Sequence, residues 1–324
     1  MTARLIGLAL IGLAALVSPL QVWAGGPAPV HPQPQPGTWK PIITVGAAGG
    51  LAIDRRGAPS SPKWAYVPNP HNRTLIKFGT GGSRLRSWRY APPATYVSFV
   101  GVAVGGSGNV FVADGGTNRV VKFDPFGRQL AVFTGFKLPT SVAVDRAGNL
   151  YVAELNAFEV TKLSPAGQVL ARWHIPWANG TGSGLPEAVA VDSRGTVYVG
   201  ANCFQDECPP PHGIQQEVVK LNAGGVFQGS ILGNNPYVPI GSGEQRFVTV
   251  NSVAVDAKDN LYVGSSAIRS SSGNFFSGIL VYTPGLSLQT IYPLPGTSAP
   301  TGVAFDGSNA LYAAYNGRVL TYVP

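Results

Sequence analysis

The feature that most constrains the fold is a short pattern that recurs six times along the chain. Its core is a Val-Ala-Val-Asp run, a turn that contains Gly or Asn, and a run similar to Asn-Leu-Tyr-Val. Gly105 and Asp145, which hold the same place in consecutive copies, are 40 residues apart. The copies begin GVAV at Gly101, SVAV at Ser141, AVAV at Ala188, SVAV at Ser252, GVAF at Gly302 and, in divergent form, GLAI at Gly50.

Each copy divides into four strand-like segments. Strand A is the V-A-V-D run, strand B the N-L-Y-V-A run, strand C the V-V-K-F run, and strand D follows the next glycine. Residues 145–149 are typical of a tight A–B hairpin, because Asp145 can accept backbone N–H bonds and Gly148 tolerates a positive φ. The pattern predicts an all-β chain, a six-bladed β-propeller of four-stranded antiparallel blades.

The ends of the repeat region predict how the ring closes. The sixth copy ends at Pro324 after strand C, whereas residues 40–45 precede the first strand A and belong to no blade of their own. We expect this N-terminal strand to complete the last blade, since that would remove two exposed sheet edges.

The composition favours short strands over helices. The 324 residues include 42 glycines, 28 prolines and one methionine, and 12% are charged. Abundant Gly and Pro among Val, Tyr and Phe are typical of many strands joined by tight turns.

The N-terminus has the three parts of a secretory signal peptide. Arg4 supplies the positive charge, and residues 5–17 are an apolar stretch too short to span a bilayer comfortably. Small residues at Val22 and Ala24 predict cleavage after Ala24. A retained signal anchor is the alternative.

These patterns divide the chain into a signal peptide (1–24), a Pro-rich spacer (25–37) and the propeller (38–324). We expect a secreted or periplasmic monomer with no transmembrane segment once the signal is removed.

The formal net charge of +8 is compatible with acidic partners such as envelope polyanions. The densest basic cluster is Arg84, Arg86 and Arg89, which alternate with other residues along one strand-like run. A solvated edge strand is the simpler interpretation, and an anion-binding site is the other. Export argues against nucleic acid as a partner.

The two cysteines, Cys203 and Cys208, lie close together. In an oxidising compartment this spacing predicts a disulfide, which would stabilise a surface insertion by about 2 kcal/mol. A metal site formed with His212 is the alternative, although the spacing matches no known zinc motif.

The copies resemble NHL repeats. The second copy matches the NHL pattern best, and the third keeps most of it with Glu154 in place of Asp. The matching residues of the second copy are Asn109, Phe111, Val112, Ala113, Asp114, Asn118 and Arg119. The resemblance implies a propeller, but its relatives include sensors, protein-binding scaffolds, streptogramin lyases and gluconolactonase-like hydrolases, so it selects no single function.

Two kinds of catalytic site remain open. His71, His174 and His212 could converge on a metal such as Zn²⁺, although the chain has no Glu-x-His pair of the streptogramin lyase kind. A Ca²⁺-dependent lactonase would need oxygen ligands in the central channel, for which the nearby residues are Glu154, Glu187, Asn202 and Asn251. The chain has no G-x-S-x-G motif, which disfavours a nucleophilic hydrolase.

Aromatic and basic residues gather in the D–A and B–C loops, which should form one face of the ring. Such side chains are typical of binding surfaces. The predicted binding residues are Trp177, Tyr237, Arg246, Arg119, His71 and Glu154. The leading hypothesis is therefore a non-catalytic scaffold or sensor without a cofactor, which binds a protein or a small envelope ligand. The alternative is a lyase or lactone hydrolase that uses Ca²⁺ or Zn²⁺ in the channel.

Overall fold

The computed structural model describes residues 35–56, 63–91, 100–176, 183–203, 215–231, 249–269 and 275–324. These residues form 24 strands, which group into six four-stranded antiparallel sheets. The predicted six-bladed propeller is confirmed. No helix of the described residues has the length and apolar character needed to cross a membrane.

Blades 1 to 5 each consist of four consecutive strands, named A to D from the centre outward. The strands of blades 1 and 2 are β2 (Ala52–Asp54), β3 (Trp64–Asn69), β4 (Thr74–Gly79), β5 (Arg84–Arg89), β6 (Val100–Val104), β7 (Val110–Asp114), β8 (Arg119–Phe123) and β9 (Gln129–Thr134). Those of blade 3 are β10 (Pro139–Val144), β11 (Leu150–Glu154), β12 (Glu159–Leu163) and β13 (Val169–His174). Short 3₁₀ turns, Gly115–Thr117 and Leu155–Ala157, join strands B and C in blades 2 and 3.

Blades 4 and 5 follow the same order. Their strands are β14 (Leu185–Val191), β15 (Val197–Cys203), β16 (Gln215–Leu221), β17 (Phe227–Ile231), β18 (Thr249–Val255), β19 (Leu261–Arg269), β20 (Phe275–Tyr282) and β21 (Leu288–Leu294).

Blade 6 joins the two ends of the chain. It consists of β22 (Gly302–Phe305), β23 (Leu311–Tyr315), β24 (Arg318–Val323) and, as its outer strand, β1 (Thr38–Thr44). β1 runs antiparallel to β24, which confirms the predicted closure.

The closing strand also contacts blade 5. The Trp39 indole N–H donates to the backbone oxygen of Pro293 at 2.7 Å. The Trp39 ring packs edge-on against Tyr322, with 5.4 Å between ring centres. Even before β1, the Gln35 backbone N–H donates to the oxygen of Ile291 at 2.9 Å. The N-terminal strand therefore holds the last two blades together.

The hydrophobic core lies between blades, in six clusters that each combine two neighbouring blades. Between blades 1 and 2, for example, Tyr66 and Leu75 pack with Val110 and Phe123, and all four are almost fully buried. Because the apolar side chains pack sideways, the centre of the ring stays open.

The two faces of the ring differ in their connections. The A–B and C–D turns lie on one face, here called the turn face, and the B–C and D–A loops lie on the other, the loop face. In the A–B turn of blade 3, Asp145 accepts the Asn149 backbone N–H at 2.8 Å and the Tyr151 hydroxyl at 3.1 Å. Asp256 and Asp306 accept bonds from the corresponding positions of their blades. The predicted turn role of the repeat Asp is confirmed.

Candidate functional site

A channel of about 560 Å³ runs through the centre of the ring, lined by strand A of every blade. Arg55 lies at its turn-face end: the guanidinium donates to the backbone oxygens of Val255 and Phe305, both at 3.1 Å. This side chain links blade 1 to blades 5 and 6 along one side of that end. We call the loop-face end of the channel its entrance.

Strand A bulges where it reaches the loop face. In blades 3, 4 and 5 the pairing with strand B skips one residue, which is Thr140, Glu187 and Asn251, respectively. In blade 6, Thr301 and Gly302 both lie opposite Ala314. A bulge redirects the side chain of the extra residue. Thr140, Glu187, Asn251 and Thr301 all line the channel.

Blades 1 and 2 differ at the corresponding sequence position: the Gly49 backbone N–H donates to the oxygen of Pro68, and Val100 pairs regularly with Asp114, so the described pairing of blade 2 has no bulge there. Gly49 and Val100 lie five residues before Asp54 and Gly105, the same offset that separates Glu187 from its repeat Asp. Both line the channel. We call these six positions the mouth ring: Gly49, Val100, Thr140, Glu187, Asn251 and Thr301.

The mouth ring has two unlike halves. Blades 3 to 6 contribute hydroxyl, carboxyl and amide groups. Blades 1 and 2 contribute a glycine and a valine, next to Ala48 and Pro70, which also line the channel. A molecule in this entrance would meet Glu187, Asn251 and Thr301 on one side and Gly49, Ala48 and Pro70 on the other. The Thr140 hydroxyl already donates to the backbone oxygen of Pro186 at 2.9 Å, and Val100 is 1% exposed.

Glu187 is the carboxylic acid of the mouth ring. Burial raises the pKa of Glu187, and a hydrogen bond from Asn202 partly opposes that rise. A raised pKa favours the neutral carboxyl, which can donate as well as accept a hydrogen bond.

Unused acceptors lie on the neighbouring strands of blade 4. Asn202 is 3% exposed, and its Oδ1 has no hydrogen-bond partner among the described residues. The Oε1 of Gln216, which pairs with Asn202 across the sheet, also has none there. Buried acceptors without partners are costly, so a ligand or water with a donor would be stabilised beside them.

Glu154, a predicted binding residue, lies at the end of strand B in blade 3 and is fully buried. Its Oε2 accepts the Lys137 backbone N–H at 2.7 Å, and its Oε1 accepts Arg172 at 3.3 Å and the Thr161 hydroxyl. Its oxygens thus hold a D–A loop and two strands in place.

Asp114 has the equivalent position in blade 2 and is also fully buried. It pairs at 3.2 Å with Arg73 of blade 1, which is 2% exposed. Arg119, another predicted binding residue, is half-buried with its Nε 3.9 Å from Asp114. This cluster joins blades 1 and 2 at the loop face.

The remaining predicted residues do not form one described cluster. His71 is exposed on the B–C loop of blade 1, directly after Pro70 of the channel wall. Trp177, Tyr237, Arg246 and Cys208 lie outside the described residues, as does the side chain of Cys203. The disulfide and the aromatic loop surface therefore stay predictions.

The described residues contain no group of three or more His, Cys, Asp and Glu side chains that could hold a metal ion. Among the described residues, Glu187 and Asn251 of the mouth ring, with Asn202 bonded to Glu187, supply carboxyl and amide oxygens on blades 4 and 5.

Sequence reasoning placed Glu187 and Asn251 near the channel but missed Thr140 and Thr301. The available signal was positional: all four lie five residues before the repeat Asp of their blade. What the sequence hid was the bulge, which decides whether that residue faces the channel.

No family model matches the chain, so the resemblance to NHL repeats stays a prediction. No curated protein matches it by sequence. Many solved structures resemble it in fold, among them two lyases and a gluconolactonase.

A streptogramin B lyase has 10% identity and a TM-score of 0.54, covering 88% of this chain and 97% of its own. XC5397 from Xanthomonas campestris, a gluconolactonase, has 15% identity and a TM-score of 0.57, covering 88% of both chains. The virginiamycin B lyase of Staphylococcus aureus has 12% identity and a TM-score of 0.54, covering 89% of this chain and 99% of its own. At these identities the likeness concerns the fold alone.

Proposed function

We propose that the chain is an extracytoplasmic, non-catalytic binding propeller whose binding site is the mouth ring with the surrounding loop face. The observation that carries the proposal is the division of the mouth ring into a polar and an apolar half. Binding sites typically combine apolar walls with a few well-placed polar groups. The expected ligand is a molecule, or the tip of a partner's loop, with one hydrogen-bonding edge and one apolar edge.

The use of the nearby carboxylates supports binding over turnover. Asp114 and Glu154 are engaged in bonds that fix strands and loops. Glu187 is left as the described carboxyl of the entrance; burial raises its pKa, and it is hydrogen-bonded to Asn202. The extracytoplasmic location rests on the signal-like pattern of residues 1–24.

The test is thermal-shift screening of the purified protein against a library of small amphipathic molecules that includes sugars, lactones and cyclic peptides. Compounds that raise the melting temperature are then titrated against the variant Glu187→Ala/Asn251→Ala. We expect this variant to weaken binding about tenfold or more, which corresponds to about 1.4 kcal/mol for two lost hydrogen bonds.

The matched control is Arg194→Ala/Lys258→Ala, which changes two residues of the turn face that do not line the channel. It should bind like the parent. Equal weakening in both variants would contradict the mouth-ring site. Each bound compound is also incubated with the protein and analysed by mass spectrometry, and conversion to a product would contradict a non-catalytic role.

A second candidate is a Ca²⁺-assisted lactone hydrolase or lyase. The observation that favours it is that Glu187 and Asn251 line the channel and that Asn202 hydrogen-bonds to Glu187, which places three oxygen-bearing side chains on blades 4 and 5. Ca²⁺ takes six to eight oxygen ligands, often several of them carboxylates, and the described residues supply fewer. They do not by themselves fit the ion, so this candidate ranks second. Turnover of a lactone that a chelator abolishes would promote it.

A further inference from the structure

The outer edge of blade 1 differs from the other outer edges in its charge. Its strand D, β5, carries Arg84, Arg86 and Arg89, and all three side chains are exposed. Strand D of blades 2, 4 and 5 contains no charged residue. Blade 3 contributes Arg172, which bonds to Glu154, and blade 6 contributes the single exposed Lys40 of β1. The positive charge of the described outer strands is therefore concentrated at blade 1.

Edge protection does not explain this concentration. Charged side chains on an edge strand can prevent unwanted pairing with other chains. If this ring required such protection, the uncharged outer strands of blades 2, 4 and 5 would need it equally. The arginines of blade 1 thus call for a different explanation.

The basic edge has apolar surface beside it. Leu85 is 48% exposed, and Phe126, in the C–D turn of blade 2, is 73% exposed. Arg86 donates to the backbone oxygen of Phe126 at 2.6 Å, which ties that turn to the edge. Arginine next to an exposed aromatic is a composition enriched at protein interfaces.

β5 bulges at Leu85, and beyond the bulge its backbone, residues 86–89, can still form a sheet on one side. β5 is the last strand of its sheet, so its outer N–H and C=O groups pair with no described strand. Extended peptides bind such edges through main-chain hydrogen bonds, with side chains providing specificity. Because β5 exposes three arginines, charge complementarity favours an acidic peptide.

We propose that β5 is a docking edge for an acidic, extended segment of a partner protein, which adds to blade 1 as a fifth strand. Its carboxylates would face Arg84 and Arg89, and an apolar residue would cover Leu85 or Phe126. This surface is on the outer rim, so the proposal does not depend on ligand binding in the channel.

The test uses fluorescence anisotropy with a labelled peptide of about eight residues, alternating Glu and Val, long enough to span the strand. We expect saturable binding that weakens with salt. The variant Arg84→Glu/Arg89→Glu should lower the affinity about tenfold or more, because two exposed ion pairs are lost and the reversed charges repel the acidic peptide. The control Lys258→Glu/Arg318→Glu makes the same charge change at exposed sites elsewhere and should bind like the parent.

Further probes separate strand addition from attraction to any anion. A Glu-Val peptide methylated on alternate backbone nitrogens should lose binding, because it cannot complete the ladder. A Lys-Val peptide should not bind. The proposal is overturned if the acidic peptide does not bind, if the methylated peptide or heparin binds equally well, or if the control variant loses as much affinity. Glu187→Ala should leave peptide binding unchanged, so failure here and failure of the channel site are distinguishable.

Discussion

The two ends of strand A make an instructive comparison. At the turn face, five of six blades end the strand with the same residue, Asp. At the loop face, the mouth ring uses five residue types over six positions. In blades 3, 5 and 6 both carboxylate oxygens of this Asp accept hydrogen bonds within the hairpin, so the fold uses the residue directly. The loop-face position forms no turn and can therefore vary from blade to blade. Divergence among copies that share one backbone marks where a repeat protein can acquire function.

The largest expected loss of stability is at Asp114, a loop-face residue whose side chain pairs with the buried Arg73. Asp114→Ala would leave the buried Arg73 without its counter-charge. We expect a loss of about 3–5 kcal/mol in the free energy of unfolding, measured by urea denaturation. Replacing both partners, Asp114→Leu with Arg73→Met, should recover much of the loss. A loss below about 1 kcal/mol would show that this pair is not structural.

A smaller effect is expected at the turn face. Asp145→Ala removes the acceptor for the Asn149 backbone N–H, the Asn149 amide and the Tyr151 hydroxyl. We expect a loss of about 1–3 kcal/mol by the same measurement. Asn251→Ala, at the loop-face end of strand A, should cost less than about 0.5 kcal/mol. Equal losses in the free energy of unfolding for Asp145→Ala and Asn251→Ala would contradict the difference between the two ends of strand A.

The smallest expected effect is a pH-dependent change in melting temperature when Glu187 is replaced. Because burial raises the pKa of Glu187, the folded protein retains this proton better than the unfolded chain. Its contribution to stability is therefore complete below the ordinary glutamate pKa of about 4.3 and declines as pH rises through the folded pKa. Glu187→Gln should raise the melting temperature relative to the parent at neutral pH. The difference should shrink as the pH falls toward about 4.3. A pH-independent difference would argue against a raised pKa.

Most of the fold could be predicted because six copies of the repeat carry the same pattern of strands and turns. The Val-Ala-Val-Asp runs became strand A, and the 40-residue spacing gave the four-stranded unit. Closure was predictable from a missing strand at one end and a surplus strand at the other. The observed β1, Thr38–Thr44, begins two residues before the predicted 40–45 and ends one residue before it.

The candidate site was harder to predict, for two physical reasons. Whether Thr140 or Asn251 faces the channel depends on a bulge in the pairing of strands A and B. No residue type in the sequence predicts that bulge. Whether a carboxylate is available depends on its neighbours. Glu154 resembled a loop residue, but three donors from separate parts of the chain surround it. Pairings of this kind are properties of the assembled blades.

The closure of the ring in blade 6 also depends on the order in which the strands are synthesised. β1 is synthesised first, whereas β24, the strand it pairs with, is synthesised last. Nearly the whole sequence must therefore leave the ribosome before the ring can close. Until then β1 is an unpaired strand with an apolar side, and the outer edge of β21 lacks the contact with Trp39. The ring cannot close until β24 is complete, so a chain that stops short of β24 leaves blade 6 unfinished and β1 without its partner strand.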